Sequence, residues 1–423
     1  MIAEFRVENF RSFRTEQCLS FVAAPDGSFE RTHCLETGHR GVPRLVRSAV
    51  LYGANASGKS NLVFALATMR LLVLTSTGLL EAQFREHYTP FLLDDSSGKK
   101  PTRFEVTLVL SGTRYQYGFA YDSERILGEW LLVYRSGKAQ RWFEYQYDPE
   151  KGERIWQPFS VHFKGTHRGQ REVWKANTSP RSLFLTQAAQ SNSQELKPLF
   201  DWFANDLILL PAHAVFDLGP TLSRLEDAEY KRQVLRLMNV ADIHVNDIKV
   251  EKREGVRIAV GPGSGKPLAV LADAGPVPDI AFCHKASDGR ERWFDRRYES
   301  LGTQRLLSYA GPLLDALQNG KFLVIDEFDR SLHPLLTRHL LGLLHDPEVS
   351  KRGAQLFVTT HDTTLLDPDL VRRDQVWFVE KKQDQSSELY SLWAFRPRKH
   401  EAIERGYLRG RYGAIPFLGE FRF

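Results

Sequence analysis

From Phe5 to Phe10 apolar and polar positions alternate, the period of a strand with one buried face. Residues 48–52 (Ser-Ala-Val-Leu-Tyr) predict a second strand. This strand runs into a Gly-rich turn and then an apolar helical stretch over 59–74. Residues 103–146 predict an antiparallel meander, with β-rich runs at 104–110, 114–121 and 130–134 separated by short polar turns. Residues 180–240 read as helical, most clearly over 227–238, and 250–295 as Gly/Pro-rich with short strands. After Ser300 the pattern becomes helix 303–318, strand 322–325, helix 334–344 and strand 355–358, the alternation of a parallel α/β sheet. The expected domains are an N-terminal lobe over 1–150, a mixed helical and β insertion over 151–295, a C-terminal lobe over 296–395 and a tail over 396–423.

With 423 residues, 42% apolar and 26% charged, the composition is that of an ordinary globular chain and excludes disorder, collagen and rod-like coiled coil as its main character. Three cysteines form no disulfide framework and suit a reducing compartment. The N-terminus lacks the apolar core of a signal peptide, and the apolar stretch over 71–80 is broken by Thr-Ser-Thr-Gly and is too short for a bilayer. The expectation is a soluble cytoplasmic protein with no membrane partner. Net charge is only +5, but residues 391–423 hold seven of the basic side chains against three acids, a basic tail with Tyr407 and Tyr412 among its arginines.

The strongest chemical signal is Gly53-Ala54-Asn55-Ala56-Ser57-Gly58-Lys59-Ser60, a fit to G-x-x-x-x-G-K-[ST] between a predicted strand and a predicted helix. In this pattern Gly53, Asn55, Ala56, Ser57, Gly58 and Asn61 frame a backbone cradle for ATP phosphates at a helix N-terminus. Lys59 adds a point charge at the β/γ-phosphates, and the Ser60 hydroxyl is a ligand for Mg²⁺. The later Gly261-Pro262-Gly263-Ser264-Gly265-Lys266-Pro267 has the wrong spacing and reads as a plain loop. At the end of the apolar run 322–325 stand Asp326 and Glu327, where open α/β sheets bind ligands. Asp326 is the candidate second magnesium ligand and Glu327 the candidate base for the attacking water. His361, in Thr359-Thr360-His361-Asp362, follows the next predicted strand and is placed to bond the γ-phosphate or the water. Ser300, in Glu299-Ser300-Leu301-Gly302-Thr303, is a good helix N-cap.

Together these motifs resemble the ATP-binding-cassette type of P-loop ATPase, and more closely the heads of the SMC, RecF and OLD group. The whole chain is similar to AAA-family ATPases of bacterial anti-phage and abortive-infection loci. The resemblance implies an α/β P-loop NTPase head of ABC type, with an antiparallel β subdomain and a helical or mixed insertion. It implies a homodimer or higher oligomer closed around sandwiched ATP, with Ser300 and Gly302 acting on the nucleotide of the opposite protomer. Asn9-Phe10-Arg11-Ser12-Phe13 resembles the group's opening strand, which brings Arg11 and Ser12 toward the nucleotide. Asp329-Arg330-Ser331-Leu332-His333-Pro334 resembles its D-loop. The family's Q-loop glutamine has no clear match, Gln83 being a candidate by position only. Two roles follow: control of a companion effector, Toprim-like or another nuclease, in anti-phage defence; or a RecF-like clamp that closes on nucleic acid, for which the basic tail speaks. A nuclease within the chain is disfavoured, because His162, His167, His213 and His244 have no metal-binding spacing and too few residues follow His361 for a Toprim fold. Trp142, Trp156, Trp174 and Trp202 are expected in the core.

Overall fold

In this computed structural model the described residues are all except 136, 166–168, 213–217, 255–256, 261–266, 272–275, 399–400, 417–418 and 420–423; of 251–279 only the backbone is described. The chain divides into two compact units. The first comprises residues 1–213, 316–330 and 337–423, and the second residues 214–315 and 331–336. The expected boundary at 150/151 has no counterpart in this division, because residues 151–213 pack within the first unit.

The first unit is built on two sheets. One is six-stranded, in the order Leu207–Leu210, Phe322–Ile325, Gln355–Thr359, Ser48–Tyr52, Val376–Lys381, Ser387–Ser391. The first five strands are parallel and the last is an antiparallel edge. Every residue of Phe322–Ile325, Gln355–Thr359 and Ser48–Tyr52 is buried, the physical reason their sequences do not alternate. Leu207–Leu210 corrects the helical reading of 180–240. A short apolar run has no periodicity of its own, and pairing with Phe322–Ile325 makes it a strand.

The second sheet is seven-stranded and antiparallel, in the order Glu153–Trp156, Gln140–Asp148, Ile126–Tyr134, Thr113–Tyr121, Thr102–Leu110, Ile2–Glu8, Gln17–Ser20. It contains the expected meander and adds the N-terminal strand to it. The helix Lys59–Thr75 buries Leu62, Leu66, Met69 and Val73, and these share one core with Phe5, Phe104, Leu51 and Val324. Trp142, Trp174 and Trp202 are core residues too. Fully buried Glu129 accepts the N–H groups of Phe184 (2.6 Å) and Leu185 (2.9 Å) and the Tyr117 hydroxyl (3.0 Å), so it caps the helix Phe184–Gln190 from the sheet side.

The second unit contains a three-stranded antiparallel sheet, Asp247–Glu254, Pro276–Lys285 and Glu291–Asp295. Its helix Ala228–Val240 is capped by Asp227, which accepts from Glu229 N and Tyr230 N. The helix Leu301–Asn319 contains Pro312. One residue earlier, the Thr221 hydroxyl donates to Leu307 O (2.9 Å) and accepts from Gly311 N (3.0 Å), inserting itself into the helical ladder.

The described part of the C-terminal segment packs on the first unit. Tyr407 and Tyr412 stack on Phe378, the Tyr412 hydroxyl bonds Glu401 at 2.6 Å, and Arg411 pairs with the same Glu401. Both tyrosines are buried and offer no stacking face to bases. Lys399 and Arg422 of the expected basic tail lie outside the described residues, as do His167, His213 and the 261–266 loop. No described helix is long and apolar enough to cross a membrane.

Candidate functional site

Three adjacent parallel strands carry the candidate groups at their C-terminal ends. Ile325 pairs with Val358, and Thr359 with Leu51, so Asp326, Thr360 and Gly53 leave the sheet side by side. Two strand spacings separate the outer pair, roughly 10 Å. This places the Gly-rich loop and the acid pair over one edge.

Gly53 opens the loop where nothing larger fits: a Cβ there would lie 2.5 Å from Val379 O and 2.5 Å from Ser57 Oγ. Ala56 (φ 60°) and Gly58 (φ 113°) are left-handed, the alternation from which anion-binding nests are built. The helix then starts at Lys59 with no side chain capping it, which leaves its first N–H groups for an anion. The Ser57 hydroxyl is buried without a hydrogen-bond partner. Lys59 is buried, and its Nζ donates to Gly53 O (2.9 Å) and Ala54 O (3.1 Å). Burial pulls its pKa down to about 8, against the opposing pull of Asp326, Asp329 and Glu327.

The acid pair is tied to the neighbouring strand. Asp326 is 2% exposed; its Oδ1 accepts the Thr359 hydroxyl at 2.5 Å. Glu327 takes a left-handed backbone (φ 52°), its N–H donates to Thr359 Oγ1 at 2.8 Å, and its carboxylate meets Arg330 at 3.2 Å. Arg330 also donates to Ala212 O at 3.1 Å. Asp329 accepts the Thr360 hydroxyl (2.7 Å) and the His361 N–H (3.2 Å), which fixes the start of the His361 loop to the acid turn. Partial burial lowers the His361 pKa, Lys59 adds to this, and Asp329 and Glu327 oppose it. Lys59 thus lies within electrostatic reach of Asp326, Glu327 and His361.

The segment around Arg11 and Ser12 closes the other side of the loop. Ser12 Oγ accepts from Asn61 Nδ2 at 2.8 Å, and the Arg11 guanidinium lies 4.1 Å from the Phe64 ring centre. The Asn61 amide is therefore engaged within the protein. Ser387, from the antiparallel edge strand, donates to Ser57 O (2.6 Å) through its hydroxyl and to Ser12 O (2.7 Å) through its N–H. Ser300 and Gly302 belong to the second unit. Ser300 Oγ accepts from Thr303 N at 3.0 Å as an N-cap, and a Cβ on Gly302 would lie 2.9 Å from Ser331 O. Gln83 uses its side-chain oxygen to accept from Leu80 N at 3.0 Å.

A family model described as "AAA domain, putative AbiEii toxin, Type IV TA system" matches residues 48–367. The chain belongs to this family. The matched span of the AAA domain holds the Gly-rich loop, Ser300, Asp326, Glu327 and His361; Arg11, Ser12 and Ser387 fall outside it. No curated protein matches the chain. Among solved structures it is similar to an Smc head bound to the C-winged helix domain of ScpA, with 12% identity, 94% of this chain and 99% of the other covered, and a TM-score of 0.41. It is also similar to an Smc head with an extended coiled coil bound to the C-terminal domain of ScpA, from Pyrococcus furiosus, with 13% identity, coverage of 93% and 98%, and a TM-score of 0.42. Among the described residues no group of three or more His, Cys, Asp or Glu side chains is placed to hold a metal ion. Ser387 escaped the sequence reading because it belongs to no motif, and Thr359 was read there only as part of the segment around His361, with no role of its own. Ser387 reaches the loop from the far end of the chain, and no local pattern marks it.

Proposed function

We propose that this AAA domain hydrolyses ATP and uses the reaction as a dimeric switch that governs a companion effector in anti-phage defence. The observation that carries the reading is the convergence of Lys59 with Asp326, Glu327 and His361 over the ends of three neighbouring parallel strands. The uncapped helix start and left-handed Gly58 suit a phosphate chain, with the Lys59 ammonium against its distal groups. Ser60 and Asp326 supply hard oxygen donors of the kind Mg²⁺ takes, and would hold it. When bound, Mg²⁺ neutralises charge on the phosphates. Glu327 accepts a proton from, or orients, the water that attacks the γ-phosphorus. His361, held neutral at physiological pH by its lowered pKa, offers a hydrogen bond beside it. Arg11 and Ser12 line the loop from the N-terminal strand. Ser300 and Gly302 act on the nucleotide of a second protomer, so hydrolysis removes the phosphate bridge and loosens the pair. The effector is a nuclease-like partner, as the sequence resemblance suggests; the family description speaks of a toxin–antitoxin system.

Steady-state ATP turnover of wild type and Glu327→Gln tests the core of this reading. The glutamine variant should lose at least about tenfold in kcat, about 1.4 kcal/mol of barrier, while still binding nucleotide. Capture of partners by that ATP-held variant, from cells carrying its native neighbouring genes, tests the effector. Unchanged turnover would remove Glu327 as the base.

A further inference from the structure

We propose that Thr359 is the positioning residue that holds Asp326 and Glu327 in working geometry, an inference that rests on the reading of that acid pair given above. Thr359 is 0% exposed and ends a strand whose preceding residues are Leu356, Phe357 and Val358. Sheet packing alone would favour valine there, which has nearly the same shape. The hydroxyl is what distinguishes threonine, and both of its hydrogen-bonding capacities point at the acid turn. It donates to Asp326 Oδ1 at 2.5 Å and accepts the Glu327 N–H at 2.8 Å.

The first bond sets the rotation of the Asp326 carboxylate, and with it the oxygen that can face a cation. The second bond holds the Glu327 backbone at φ 52°, a conformation disfavoured for any residue with a Cβ. Side-chain direction follows from backbone conformation, so this bond also aims the Glu327 carboxylate. Around it, Phe328 N donates to Thr359 O (2.9 Å), and Thr360 donates to Asp329 (2.7 Å), so the turn cannot drift independently of the strand. One oxygen atom therefore touches both the carboxylate proposed for the metal and the peptide that carries the proposed base. Such outer partners of metal-binding carboxylates commonly matter 10–100-fold in affinity or activity.

The experiment compares Thr359→Val, which keeps shape and loses the hydroxyl, with Thr359→Ser, which keeps the hydroxyl. Readouts are kcat and KM for ATP, Mn²⁺ binding in the presence of a non-hydrolysable ATP analogue by electron paramagnetic resonance, and thermal melting. The valine variant should lose about tenfold or more in kcat and in Mn²⁺ affinity, with KM for ATP within about threefold, while serine stays near wild type. Valine turning over and binding Mn²⁺ like wild type overturns the proposal; so does serine as impaired as valine. If valine does not fold, Thr359→Ala provides the hydroxyl-free comparison, and a folded serine variant without turnover is by itself fatal. Glu327→Gln run in parallel separates the two claims. If glutamine is inactive and valine intact, only the role of Thr359 falls; if glutamine is fully active, the reading of the acid pair falls.

Discussion

Gly58→Ala isolates the backbone requirement of the loop. Gly58 sits at φ 113°, ψ 8°, left-handed but at a φ well beyond the roughly +50 to +70° that other residues occasionally occupy. An alanine held there costs about 1–3 kcal/mol in strain. Its Cβ would also stand 2.4 Å from Ser387 Oγ and 2.8 Å from Ser12 Oγ. Both contacts are side-chain hydroxyls, so they can rotate, but Ser387 would then give up its bond to Ser57 O, worth about 1 kcal/mol. The expected destabilisation is about 2–4 kcal/mol, concentrated at the loop. Chemical denaturation measures it, and isothermal titration with a non-hydrolysable ATP analogue should show binding weakened by at least about tenfold. The decisive comparison is a double-mutant cycle with Ser387→Ala. Alone, Ser387→Ala should cost about 1 kcal/mol. On the Gly58→Ala background it should cost nothing or restore some stability, because the hydroxyl that clashes is gone. Strict additivity of the two substitutions, or wild-type nucleotide affinity in Gly58→Ala, would refute this account of the loop.

Glu129→Ala leaves two buried N–H groups and the Tyr117 hydroxyl without their shared acceptor, and at about 1–3 kcal/mol per group should destabilise the first unit by about 3–9 kcal/mol in urea unfolding. Glu129→Gln, which keeps one acceptor oxygen, should cost clearly less. His33 and His345 stack with ring centres 3.8 Å apart, and burial lowers the pKa of both from the ordinary 6.5. Below about pH 6.5 the unfolded chain takes up protons at these rings more readily than the folded chain. Stability should therefore fall as pH drops from 7.5 to 5.5, and His345→Gln should flatten that slope in denaturation measured across the range. With Lys59 near a pKa of about 8, nucleotide binding should weaken as pH rises through 8 and its ammonium loses the proton, which titrations at pH 7 and 9 will detect. Lys59→Arg, which keeps its charge, should abolish that pH dependence whatever its affinity.

Much of the site could be read from the chain because its chemistry is local. A strand, a Gly-rich turn and a helix start lie consecutively over 48–75, and the phosphate cradle needs only that order and those dihedral-tolerant glycines. The run Phe322–Ile325 followed by Asp326 and Glu327 carries its own signal for the same reason: a fully buried strand must be continuously apolar, and charges can stand only past its end. The strand Leu207–Leu210 had no such signal, since four apolar residues suit a helix equally well until a neighbour supplies backbone partners. That Tyr407 and Tyr412 stack on Phe378 could not be read from charge counts, because it is a contact between segments distant in the chain.

By itself, then, the sequence marked the candidate phosphate loop, the candidate acid pair and three of the strands of the parallel sheet. The order of those strands, the seating of Gln355–Thr359 between the loop strand and the acid strand, and the closure of the loop by Ser12 and Ser387 were decided by tertiary structure. Those contacts join residues 49 positions apart, as Ser12 and Asn61, or 330 apart, as Ser57 and Ser387, through single hydroxyls and backbone register. Such bonds leave no periodicity along the chain, and they form only once burial has brought the strands together.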